Sequence, residues 1–125
     1  MKTNLIVTSL YLLAGTAILT GCSKSGANSG MLDESKVAST VTQAFAKAPA
    51  DTKEEATTCV AAVEGADTSL AFTQLQRMST ETNLTGEQRQ VLARAMQATF
   101  KKLQTAAQNG DATADKTVHS YLSSR

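Results

Sequence analysis

Read for its alternation of apolar and polar positions, the chain divides into an unbroken apolar run, a short tract with no pattern, and a long remainder with helical periodicity. The run is Leu5 to Leu19 (LIVTSLYLLAGTAIL), 15 residues without a charge. In the remainder, Val37, Val41, Ala44, Phe45 and Ala48 recur at i, i+4, i+7, i+8 and i+11. That spacing predicts an amphipathic helix beginning near Asp33, with Pro49 as its stop.

Four more helices follow from the same rules. Asp51 with Glu54 and Thr52 with Glu55 form two overlapping capping boxes ahead of Ala56, Cys59, Val60 and Val63, and Gly65 closes that segment. Asp67 or Thr68 caps a short third helix with Phe72, Leu75 and Met78 inward, closing around residues 79–83. Thr85 and Gln88 make a further capping box before the longest element, from Gly86 to about Gln108. On it Leu92, Met96, Thr99, Leu103 and Ala106 share a face, flanked by Ala95, Phe100 and Ala107, and Asn109-Gly110 supplies a left-handed terminator. The last helix runs from about Ala112 to Ser123 with Val118, Tyr121 and Leu122 inward. Loops of this length favour antiparallel neighbours, so the expected fold is all-α, a small bundle or orthogonal array of about five short helices over residues 31–125.

Composition agrees. Aromatic residues are 4% of the 125, there is one Pro and no Trp, and hydrophobic residues reach 42% with Ala prominent. Sheet would call for more β-branched and aromatic residues. An Ala-rich core buries little area per residue, and at about 25 cal/mol per Å² it leaves only marginal stability.

The net charge of +1 conceals a polarity. Asp33 to Asp67 holds seven acids against Lys36, Lys47 and Lys53, whereas Leu70 to Arg125 holds seven bases against Glu81, Glu87, Asp111 and Asp115. The two halves are expected to complement each other within one fold. No block of like charge forms a nucleic-acid-binding arm.

The N-terminal 30 residues address location. Lys2 precedes the apolar run, which is shorter than the roughly 20 residues of a spanning helix and suits the central region of a secretory signal. At its end stands Leu19-Thr20-Gly21-Cys22. This tetrad resembles the lipobox of bacterial lipoprotein precursors, an aliphatic residue, a small residue, Gly or Ala, then Cys. The resemblance covers residues 1–22. It implies cleavage between Gly21 and Cys22, a diacylglyceryl group on the Cys22 thiol, and an acyl chain on the new amino terminus, with no other cofactor. Two or three such chains hold a protein at a bilayer nearly irreversibly. Residues 1–21 are then a signal peptide, and 22–30 the lipidated Cys with a Ser/Gly tether (SKSGANSG after Cys22). The eight residues after Cys22 reach about 16 Å. Ser23 beside the Cys resembles lipoproteins sent to the outer membrane, which implies the periplasmic face of that membrane.

Candidate chemistry is sparse. Cys59 would be the natural disulfide partner of Cys22, but a thioether sulfur cannot pair. Cys59 is therefore read as a core thiol on the Ala56/Val60/Val63 face, with only Lys53 as a nearby cation. His119 is the lone histidine and lacks the companions a zinc site requires. The pairs Asp33-Glu34 and Glu54-Glu55 fall in first helical turns, where the dipole explains them without acid–base chemistry. No Gly-rich phosphate loop is present. Gln90, Arg94, Gln97, Lys101, Gln104 and Gln108 fall at i, i+4, i+7, i+11, i+14 and i+18, a polar stripe along the long helix. It is the solvated face of an amphipathic helix and also the candidate partner surface.

The expected function is that of a non-catalytic, lipid-anchored envelope protein, held at the membrane through Cys22 and acting on a protein partner. Two alternatives stay open: a carrier of a small apolar ligand, and a protective protein that captures an incoming toxin or conjugation partner. A cavity of about 300 Å³ or more lined by Phe45, Phe72, Leu92 and Met96 would favour the carrier. A filled core with an exposed apolar or charged patch would favour a partner surface.

Overall fold

The computed structural model describes residues 30–125. The expected signal segment, Gly21, Cys22 and the expected tether apart from Gly30 lie outside the described residues. A 3-10 turn, Glu34–Lys36, leads into five helices: α1 Val37–Ala44, α2 Ala50–Glu64, α3 Thr68–Ser79, α4 Gly86–Gln108 and α5 Ala112–Ser123. The described residues contain no strand, and the fold is an all-α bundle.

Local chemistry fixes most helix starts. Asp33 accepts from the Ser35 amide at 3.0 Å and from its hydroxyl at 2.7 Å, and these bonds hold the Asp33 carboxyl below its ordinary pKa. The Asp67 carboxylate accepts from the Leu70 amide at 2.9 Å. Thr85 and Gln88 bond reciprocally, the Thr85 hydroxyl accepting from the Gln88 amide and the Gln88 side chain accepting from the Thr85 amide. Asp111 accepts from the amides of Thr113 and Ala114. Each satisfies amides that the first helical turn leaves without carbonyls. At the end of α4 the chain reverses through Gly110 at φ +95°, a conformation suited to glycine.

Two boundaries differ from the sequence reading. The first helix stops at Ala44, and Phe45, 1% exposed, closes it before a turn over residues 45–47. Pro49 opens α2 instead of closing α1. A proline restricts the residue before it to extended conformations, so the turn must precede it. Its own carbonyl accepts from Lys53 at 2.8 Å, which starts α2 at Ala50. Asp51 and Thr52 therefore lie inside the first turn, and neither capping box forms. Gly65 does end α2, as expected.

The Thr content is absorbed locally. Thr42, Thr57, Thr58, Thr73, Thr105 and Thr117 each donate to the carbonyl four residues earlier, at 2.9 to 3.1 Å. Such bonds satisfy the hydroxyls within the helix at a small cost in helix stability.

In packing, α1 touches α2 and α4, α2 touches α3, and α3 touches α4, so these four close a ring. Inside it Val37, Val41, Phe45, Cys59, Leu75, Met78, Leu84, Leu92 and Ala95 form the main core. The remaining helix, α5, lies outside the ring against α4 and α3. A second cluster of Phe72, Leu103 and Ala114 fills that seam, joined by Phe100, Val118 and Tyr121, and Met96 packs against both clusters. Helix α4 thus buries more of its circumference than one stripe. Val91 and Ala98 are closed as well as Leu92, Thr99 and Leu103. On α5, Val118 and Tyr121 are half-buried, but Leu122 is 52% exposed, contrary to its inward assignment. With neighbours on one side only, α5 has no second wall for Leu122 to meet.

Candidate functional site

Helix α4 carries the polar stripe at the positions its period dictates. Gln90, Gln97, Lys101, Gln104 and Gln108 are exposed, while Arg94 is half-buried. The stripe is a ridge between two clefts. Gln97 lines a groove with Phe72, Ala93, Met96, Phe100, Tyr121, Leu122 and Arg125, of about 390 Å³. Lys101 lines a second cleft of about 580 Å³ on the other flank, with Met31, Leu32, Lys102, Thr105 and Asn109. There Lys102 Nζ meets Glu34 at 2.8 Å and ties the 3-10 turn to α4.

The first groove is built on an aromatic trio. Phe72 of α3, Phe100 of α4 and Tyr121 of α5 have centroids 5.0 to 5.5 Å apart, with Phe72 and Tyr121 nearly perpendicular at 83°. Edge-to-face contacts of this kind add about 0.5–1.5 kcal/mol each beyond the area they bury. The Arg125 guanidinium sits 4.9 Å above the Tyr121 ring. Three of the chain's five aromatic residues meet here. Their separations in sequence carry no shared period, so only the packing of three helices reveals the convergence.

None of the clefts described is lined by all four of Phe45, Phe72, Leu92 and Met96. Phe45 borders a separate groove of about 280 Å³ with Thr42, Lys53, Ala56 and Val60. Phe72 and Met96 border the aromatic one, and Leu92 is fully closed within the core.

The reactive groups are placed as follows. Cys59 is a free thiol, 1% exposed in the main core, and burial raises its pKa to about 11 despite the opposing charge of Arg77. His119 is exposed on α5, 3.5 Å from Asp115 one turn earlier. Among the described residues, no three His, Cys, Asp or Glu side chains are grouped to hold a metal ion. No described helix is long and apolar enough to cross a membrane.

The acidic and basic halves meet through Glu34 with Lys102 and, at 3.9 Å, Glu55 with Arg77. Both pairs are solvent-accessible and contribute about 0–1 kcal/mol each. From Gln88 to Gln108, α4 contains Arg89, Arg94, Lys101 and Lys102 and no acid. Arg94 and Lys101 lie on the stripe, Arg89 lies on the side of the aromatic groove, and Lys102 lines the second cleft with Asp33 and Glu34.

Comparison with protein-family models, with curated proteins and with solved structures finds no match to this chain, so the geometry above is what bears on its role.

Proposed function

We propose that the protein is a lipid-anchored, non-catalytic component of a bacterial cell envelope that acts through protein contacts. The observation that carries the reading is the tetrad Leu19-Thr20-Gly21-Cys22 standing at the end of a 15-residue uncharged run behind Lys2. The thiol of Cys22 takes the diacylglyceryl group, cleavage follows Gly21, and the freed amine takes a further acyl chain. Ser23 directs the product to the outer membrane, facing the periplasm. The small helical domain then works within the reach of its tether, about 16 Å from the bilayer.

Two features of the domain support action through a partner. Phe45, Phe72, Leu75, Leu92 and Leu103 of the two apolar clusters are closed from solvent, each at most 1% exposed. Among the accessible features is a stripe of amide and cationic side chains beside an open aromatic groove. Aromatic residues, Met and Arg are enriched where protein surfaces meet.

Incorporation of labelled palmitate into the wild-type chain, with recovery in the membrane fraction, tests the anchor. Cys22→Ala should abolish the label and retain the uncleaved precursor. Equal labelling of both proteins would refute the reading.

A further inference from the structure

We propose that the groove of Phe72, Met96, Phe100 and Tyr121, with Leu122 on its lip, is the docking site for an acidic amphipathic helix of a partner protein. The inference rests on the reading that this protein acts through protein contacts, and it names the surface and the chemistry of the partner.

The shape of the groove selects a helix over a small ligand. It holds about 390 Å³ and is open along one side, with Leu122 52% exposed. Small apolar ligands need enclosure of most of their surface. A helix laid along an open groove needs only anchors at i and i+3 or i+4, with its outer face left in water. The exposed Leu122 and the edges of Phe100 and Tyr121 are suited to receive two such anchors.

Charge selects the sign of the partner. Arg125 lies over Tyr121 at one end. Arg89, exposed, stands four residues before Ala93 and so one turn further along the same face. None of the groove's lining residues is acidic. On α5, the acid Asp115 stands two turns before Leu122, 3.5 Å from His119 Nε2, at the end of the groove away from Arg125. A helix with apolar anchors followed at one end by Asp or Glu would place carboxylates against both arginines, which speeds and orients docking.

The exposed Leu70 stands on α3, a helix that contains no Asp or Glu, so among the described residues the chain itself offers no comparable acidic occupant. Met31 and Leu32 border the cleft on the opposite flank of α4. The acidic helix α2 turns Ala56 and Cys59 into its own core, leaving no large apolar side chain beside its acids to fill a neighbour's groove.

The test is photocrosslinking of the full chain in intact cells, with a benzophenone side chain at Leu122 and, as control, at Ser120. The Leu122 probe should capture another protein through a segment whose mapped sequence is helical in period, apolar on one face and rich in Asp or Glu. The Ser120 probe should not. Reversal of Arg89 and Arg125 to Glu should cut the yield by at least roughly fivefold. Adducts with lipid only, with a second copy of this chain, or with a segment lacking acids would overturn the proposal, as would no adduct or an unchanged yield after charge reversal. Palmitate labelling of the same cells reads the anchor separately, so loss of the crosslink with Cys22 still acylated counts against the groove alone.

Discussion

Gln88 Nε2 donates to the Ala44 carbonyl at 3.3 Å, across 44 residues of sequence. The same side chain accepts from the Thr85 amide at 2.9 Å, so one amide group closes the capping box of α4 and holds the C-terminal end of α1. Gln88 is 7% exposed, and water cannot readily replace either bond. A helix start and an interhelix contact are thereby fixed by one residue.

Gln88→Ala should accordingly destabilise the protein by about 2 kcal/mol, through a lost cap and an unsatisfied carbonyl. Thr85→Ala should lose about 1 kcal/mol. Urea unfolding of both and of the double variant checks this, and the double variant should fall short of the summed losses because the two side chains share one motif.

Two glycines should respond oppositely to alanine. Gly110 sits at φ +95°, so Gly110→Ala should lower stability by about 1 kcal/mol. Gly86 is the first residue of α4, without positive φ, and an added Cβ meets nothing within 4 Å. Gly86→Ala should raise stability by about 0.4–1 kcal/mol. Thermal melts should move in opposite directions.

Cys59 should react slowly with a thiol reagent at neutral pH and quickly after denaturation, because the native thiol is buried and its pKa is raised to about 11 from 9.0. The sign for stability follows. Between pH 9 and 11 the unfolded chain ionises this thiol while the folded one does not, so its contribution is complete below pH 9 and lost as pH rises through 11. Comparing the alkaline unfolding of wild type with Cys59→Ala isolates it, and the variant should show the shallower decline.

The second cluster should separate core from surface. Phe72→Ala should cost about 3–5 kcal/mol, since Phe72 is 1% exposed and contacts both other rings. Leu122→Glu should stay within about 0.5 kcal/mol of wild type, since half of that side chain is already in water. Denaturant midpoints test both.

The sequence was most legible where one local signal decides the outcome. Asp67, the Thr85/Gln88 box and Asn109-Gly110 each act within a turn, and the helix ends stand where those signals put them. The start of α2 misled because Pro49 itself takes the cap position, its carbonyl accepting from Lys53, which displaces the competing caps at Asp51 and Thr52. Burial of Leu84 at 3%, in the loop before α4, had no periodic signal at all. Leu122 misled for a different reason: helical period fixes which side of α5 it occupies, but not whether another helix covers that side. The same limit hid the aromatic groove, which requires knowing that α5 packs on both α3 and α4. The polar stripe was legible as a stripe, but its position between two clefts was not.

The assignment to a membrane surface stands on Cys22, and the intact mass of the protein extracted from membranes tests it most directly. The account predicts a chain beginning at Cys22 and carrying the added mass of a diacylglyceryl group and one acyl chain. A chain that retains residues 1–21, or begins elsewhere with an unmodified thiol, would contradict it.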